Sequence, residues 1–101
     1  MYIDVSNGTA TVREAENLKA LSVVAPGGVA HPDALAPLGR VDGDHVWLSV
    51  QALRESAAAT IPEADRAQWV QGFDGMIAYA ASNGWTDEAG THVRAHVEAP
   101  A

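Results

Sequence analysis

The chain has 101 residues, 48% hydrophobic and 19% charged, which is the composition of one small globular domain over residues 1–101. Its formal net charge of −7, with one lysine and scattered arginines, leaves no basic stripe along a phosphate backbone, so nucleic acid and membrane are not expected partners. The absence of cysteine excludes disulfides, thiolate metal sites and thiol catalysis.

The first part of the chain is predicted to hold a strand, a helix and a loop. Residues 1–5 alternate in polarity, which favours a short strand that ends at the Asn7-Gly8 turn. Thr11 and Glu14 have the spacing of a capping box, and the apolar residues that follow recur at helical intervals, which predicts a helix over about residues 12–24. Three prolines and three glycines in residues 25–39 indicate a long loop, or one helical turn that begins at Pro32.

A hairpin and a helix are predicted next. The Asp-Gly pair in residues 42–44 lies between strand-like residues, which is a hairpin signal. The alternative role for this turn is catalytic, with Asp44 orienting His45 as a general base if His45 faces a cavity. Ser49 can then cap a helix whose apolar positions are Val50, Leu53, Ala57 and Ile61.

The longest helix is predicted to begin at Pro62 and run to Asn83, with Gly84 as its left-handed C-cap and Trp85 folded back on the last turn. The glycines Gly72 and Gly75 each cost about 1 kcal/mol relative to alanine inside a helix, so we expect something to compensate. Close packing or a dimer contact is the favoured explanation. The alternative is a groove that admits a ligand against bare backbone, with Tyr79 as hydrogen-bond donor.

The last segment, residues 92–98, alternates polar and apolar residues, which predicts a strand with one wet face. That face carries His92, Arg94, His96 and Glu98, and histidine is the side chain that titrates near neutral pH. In a helix the two imidazoles could share a metal ion with Glu88, whereas in a strand they lie about 13 Å apart along the axis, too far for one ion. We therefore predict no metal site.

These elements predict an α+β fold: a small antiparallel sheet of about four strands packed against helices, with the element order of a βαββαβ unit. Helices covering one face of the sheet would leave its other face free to meet a second subunit. Because a core rich in alanine buries little large apolar surface, a homodimer is expected.

The leading functional hypothesis is a small cytoplasmic, non-catalytic protein that acts through self-association or a protein partner, without a cofactor. A small anionic ligand is the alternative partner, expected if His92, Arg94 and His96 line a pocket. The cytoplasmic expectation depends on an N-terminal segment that has neither a basic nor an apolar signal region. The competing hypothesis is a cofactor-independent acid–base enzyme with a pocket between sheet and helices. In that hypothesis His92 or His96 is the base, Arg94 holds an anion and Tyr79 donates a hydrogen bond.

Overall fold

A computed structural model describes residues 1–100 of the chain. The strands are β1 (Tyr2–Ser6), β2 (Thr9–Arg13), β3 (Ser22–Val24), β4 (Gly39–Asp42), β5 (His45–Ser49) and β6 (His92–Glu98). The helices are α1 (Pro32–Leu35), α2 (Val50–Ala58) and α3 (Glu63–Ser82), and a short 3-10 turn spans Pro26–Gly28.

All six strands form one mixed sheet in the order β2-β1-β3-β6-β5-β4. The parallel pairs are β1 with β3 and β3 with β6, and the other neighbours are antiparallel. The α+β class is therefore confirmed. The prediction of a four-stranded antiparallel sheet with βαββαβ order is wrong, because two strands lie where a helix was expected.

The predicted helix over residues 12–24 does not exist. Asn7 and Gly8 both have positive φ, 54° and 75°, which is the geometry of a two-residue hairpin turn. The turn returns the chain along β1, and Thr9 to Arg13 pairs with that strand from Ser6 back to Tyr2. Residues 9–13 of β2 therefore alternate in burial and form a backbone hydrogen-bond ladder with β1. The apparent capping box does not start a helix, because Glu14 has a φ of 50°, outside the right-handed helical region.

The core lies on one face of the sheet, where α2 and α3 cover the alternate strand residues. Helix α1 contacts β2 and β4, the two edge strands of the sheet, so the sheet curves around its helical side. The largest fully buried side chains are Phe73 from α3, Leu53 from α2, Leu35 from α1, and Ile3, Val23, Val46 and Leu48 from the strands. The opposite face of the sheet, called the outer face below, is not covered by a helix.

Several local predictions are confirmed. The side chain of Ser49 accepts the N–H of Ala52 at 3.2 Å and caps α2, and the turn at residues 42–44 joins β4 to β5. Gly84 has a φ of 75°, and the N–H of Trp85 reaches the carbonyl of Ala80 at 2.9 Å, which is the Schellman closure of α3. None of the helices within residues 1–100 is both long and apolar enough to cross a membrane.

Candidate functional site

Strand β6 divides its side chains between the two faces of the sheet. Val93, Ala95 and Val97 are buried under the helices. The polar set predicted to share one face, His92, Arg94, His96 and Glu98, lies on the outer face with exposed or half-buried side chains. The wet face of the last strand is thus an open sheet surface.

The outer face brings together histidines from two strands. His96 pairs with His45 of β5, and their rings meet edge to face with centroids 5.4 Å apart. Nδ1 of His45 lies 2.7 Å from a carboxylate oxygen of Asp44. The sequence anticipated this Asp44 and His45 contact, but the histidine faces the open sheet surface.

A tryptophan lies in the next row of the outer face. Trp47 is the cross-strand neighbour of both Arg94 and Arg40, and the Arg40 guanidinium is 5.8 Å from the centre of its ring. The indole N–H of Trp47 donates to Asp42 at 3.2 Å. These contacts hold Trp47 against the sheet surface.

His92 is the first residue of β6 and is held by the turn that precedes the strand. The Asp87 carboxylate accepts the backbone N–H of His92 at 3.0 Å and the hydroxyl of Thr91 at 2.8 Å. These hydrogen bonds, the first more than the second, lower the pKa of Asp87 to about 2. Because Nδ1 of His92 also lies 3.2 Å from Asp87, the ring is held at the end of the sheet.

A groove lies where the sheet is interrupted beside β6. Strand β3 begins only at Ser22, opposite His96, so the first part of β6 has no β3 partner. There the carbonyl of Trp85 takes the N–H of Arg94 at 2.7 Å instead. The space left is a cavity of about 470 Å³, which we call the α3 groove. Its walls are residues 18–21, the last part of α3, Trp85, and the start of β6 at Val93 and Arg94.

The walls of the α3 groove are largely apolar and include exposed aromatic rings. Leu18, Leu21, Met76 and Ile77 contribute half-buried side chains. Tyr79 and Trp85 also line it, with 64% and 40% of their surface exposed and their ring centroids 6.0 Å apart. This is the combination of an apolar floor and a few polar groups found in small-molecule sites.

The two interior glycines of α3 have different environments. A Cβ on Gly72 would come within 2.6 Å of Leu18 Cδ1, so this position provides the close packing that the sequence favoured. Gly75 lines the groove, and a Cβ there would meet nothing within 4 Å. Gly75 therefore matches the alternative interpretation, in which bare backbone forms part of a groove beside Tyr79.

The four predicted site residues do not meet in one place. Tyr79 lines the α3 groove, and so does Arg94 of the outer face, which lies where the sheet is interrupted beside β6. His92 lines a separate, open depression of about 440 Å³ with Ser49 and Arg54, and His96 stays on the outer face. Within residues 1–100 no three or more His, Asp or Glu side chains are grouped to hold a metal ion.

Sequence reasoning missed Lys19, Trp85 and Trp47 as surface groups. Trp85 was predicted only to cap α3, although the residue after a C-cap glycine leaves the helix and can reach a neighbouring surface. Trp47 alternates with the buried Val46 and Leu48, which was the available signal that it faces the other side. Lys19 gave no signal, because its segment was assigned to a helix.

No family model matches this chain, and neither does any curated protein or solved structure.

Proposed function

We propose that this protein is a non-catalytic binding protein that takes a small apolar molecule in the α3 groove. The observation that carries the proposal is the position of Tyr79 and Trp85. Among residues 1–100, three large hydrophobic side chains are exposed, and these two lie together at this groove. Aromatic residues exposed around a concave apolar surface are typical of binding sites.

The size of the groove favours a small molecule over a protein partner. Its volume of about 470 Å³ lies within the range of roughly 300–1,000 Å³ occupied by small-molecule sites. A stable protein interface covers about 800 Å² on each partner. The groove is bounded by the short segment of residues 18–21 and by the last turns of α3, too short a length for a surface of that size.

The side chains of the groove favour binding over proton transfer. General acid–base catalysis needs a group that gains and loses a proton near the working pH, most often histidine or a carboxylate. None of the residues lining the groove is a histidine, an aspartate or a glutamate. The ionisable groups present are Lys19, Tyr79 and Arg94, which suit charge pairing and hydrogen bonding.

The test uses Nile red, a neutral apolar dye whose emission rises when it leaves water. We expect saturable binding to the wild-type protein and loss of about tenfold or more in affinity in Gly75→Leu, because the added side chain fills space that is now open. Ala78→Leu makes a comparable change at an exposed position of the same helix outside the groove, and it should bind like wild type. Equal binding by all three proteins, or none by wild type, would contradict the proposal.

Self-association through the outer face is a second candidate, favoured by the distribution of charge. The outer face carries three arginines, Arg13, Arg40 and Arg94, and four carboxylates, Asp4, Asp42, Glu98 and the Asp44 carboxylate beside His45, so its formal charge is −1. The whole chain carries −7, so most of the excess negative charge lies elsewhere. Two copies can approach through this face with less repulsion than other orientations bring.

Sedimentation of the wild-type protein over a micromolar concentration series tests this candidate. We expect a mass that rises towards twice the monomer, and a shift to monomer in His96→Glu, which adds negative charge at the middle of the outer face. Ala78→Glu adds the same charge on α3 and should associate like wild type. A wild-type monomer at every concentration would remove the self-association candidate and leave the groove proposal standing.

A further inference from the structure

We infer that the ligand of the α3 groove is an amphipathic monoanion, an aliphatic or aromatic monocarboxylate whose apolar body lies in the groove and whose carboxylate meets Lys19 and Arg94. This inference rests on the proposed function, since it names the class of molecule that the same groove takes. It depends on a separate set of observations, the charges around the groove.

The side chains that line the α3 groove carry positive charge, whereas the chain as a whole is negative. The sequence has 13 acidic residues and six lysines and arginines. None of the acidic residues lines the groove, whereas two of the six basic residues, Lys19 and Arg94, do. In a protein of net charge −7 the groove is therefore a local cationic site, which favours an anion over a neutral or cationic ligand.

These two cations are also the ones without an internal partner. The remaining basic residues are engaged within the fold: Arg13 with Asp4, Arg54 with Asp74, Arg66 with the carbonyls of Ala58 and Ile61, and Arg40 with the ring of Trp47. Within residues 1–100, Lys19 and Arg94 make no such ion pair or side-chain hydrogen bond. Their charge is available to a ligand.

The walls of the α3 groove indicate a ligand with one charged group and one apolar body. The apolar side chains of Leu21, Met76 and Ile77 offer no hydrogen bond, so a ligand with several polar groups would lose hydration without replacement. Tyr79 adds one hydroxyl that can donate to a carboxylate oxygen. A sugar or a nucleotide does not fit this pattern, whereas a single carboxylate on an aliphatic chain or aromatic ring does.

Calorimetry with decanoate and 1-decanol, which have the same number of carbons, tests the inference. We expect decanoate to bind one site per chain and decanol to bind more weakly, and only the decanoate affinity should fall as salt is raised. Because Lys19 is exposed, Lys19→Gln should weaken decanoate by about two- to fivefold, and Lys19→Arg should restore it. Lys19→Gln combined with Arg94→Gln should bring decanoate down to the level of decanol.

The outcomes separate this inference from the proposed function. If Nile red binds the groove but decanoate is no better than decanol, the anion is refuted and the groove remains a site for a neutral ligand. If decanoate binds and Gly75→Leu leaves its affinity unchanged, the anion binds elsewhere and the inference is wrong. If Lys19→Gln binds decanoate like wild type and the double variant does so as well, the two cations have no role and the inference is also wrong.

Discussion

Gly84→Ala measures how much of the stability depends on the closure of α3. The φ of Gly84 is 75°, and a Cβ built there meets no atom within 4 Å. The substitution therefore destabilises the fold through the strained backbone conformation and not through a steric clash. A non-glycine residue in the left-handed region costs about 1–2 kcal/mol. Part of that cost is offset, because alanine lowers the conformational entropy of the unfolded chain relative to glycine, which stabilises the fold by about 0.4–1 kcal/mol. The expected loss is therefore about 1 kcal/mol, or about 5 °C in Tm for a domain of this size.

Two further variants make the experiment specific. Gly84→Asn should lose less than Gly84→Ala, because asparagine tolerates the left-handed conformation better. Gly75→Ala adds a methyl group in the middle of the same helix, where nothing lies within 4 Å, and should stabilise by about 1 kcal/mol. Urea denaturation gives all three free energies of unfolding. If both alanine variants shift the midpoint in the same direction, the assignment of Gly84 as the left-handed cap of α3 is refuted.

Two other changes probe the segments around the groove and the turn before β6. Trp69→Phe removes the buried indole hydrogen bond to the carbonyl of Ala15, 2.7 Å long, and should destabilise by about 2–3 kcal/mol in urea denaturation, because that carbonyl loses its partner. A loss below about 0.5 kcal/mol, half of a typical hydrogen-bond contribution, would mean that the bond does not hold residues 14–21 against α3. The lowered pKa of Asp87 stabilises the fold above the ordinary value of 3.8, and this stabilisation is lost as the pH falls towards about 2. The Tm difference between wild type and Asp87→Asn should therefore be largest above pH 4 and shrink in this acid range, and a difference independent of pH would contradict the role of the carboxylate.

The elements that the sequence predicted correctly are those with a local cause. Ser49 caps α2 through its own side chain, Gly84 supplies the positive φ that ends α3, and the alternation in residues 92–98 requires a strand with two different faces. Residues 12–24 were predicted wrongly because their apolar spacing fits a helix, while the Asn7-Gly8 turn and pairing with β1 and β6 decide the structure. The helical propensity of these residues is outweighed by the backbone hydrogen bonds that they form with neighbouring strands.

The candidate site could be predicted only in part for the same reason. Tyr79 and Arg94 were predicted as the hydrogen-bond donor and the anion holder of an enzyme pocket that also held His92 or His96. Only Tyr79 and Arg94 line the α3 groove, and that groove exists because β3 begins at Ser22 and leaves a gap beside β6. The length of a strand pairing is a property of the whole sheet and is not encoded in any short segment. Lys19 becomes a groove residue only through that gap, so no local pattern could mark it.

The indole N–H resonances of the three tryptophans provide the most direct test of the central claim, because each lies in a different environment. Trp85 lines the α3 groove, Trp69 is buried with its N–H on Ala15, and Trp47 lies on the outer face. In a ¹H–¹⁵N spectrum titrated with decanoate, we expect the Trp85 resonance to show the largest shift, until the site is saturated, while the buried Trp69 stays in place; Trp47, which pairs with Arg94, shifts less than Trp85. A saturable shift of Trp47 with Trp85 unmoved, or no shift of any indole, would contradict the claim that the α3 groove is the binding site.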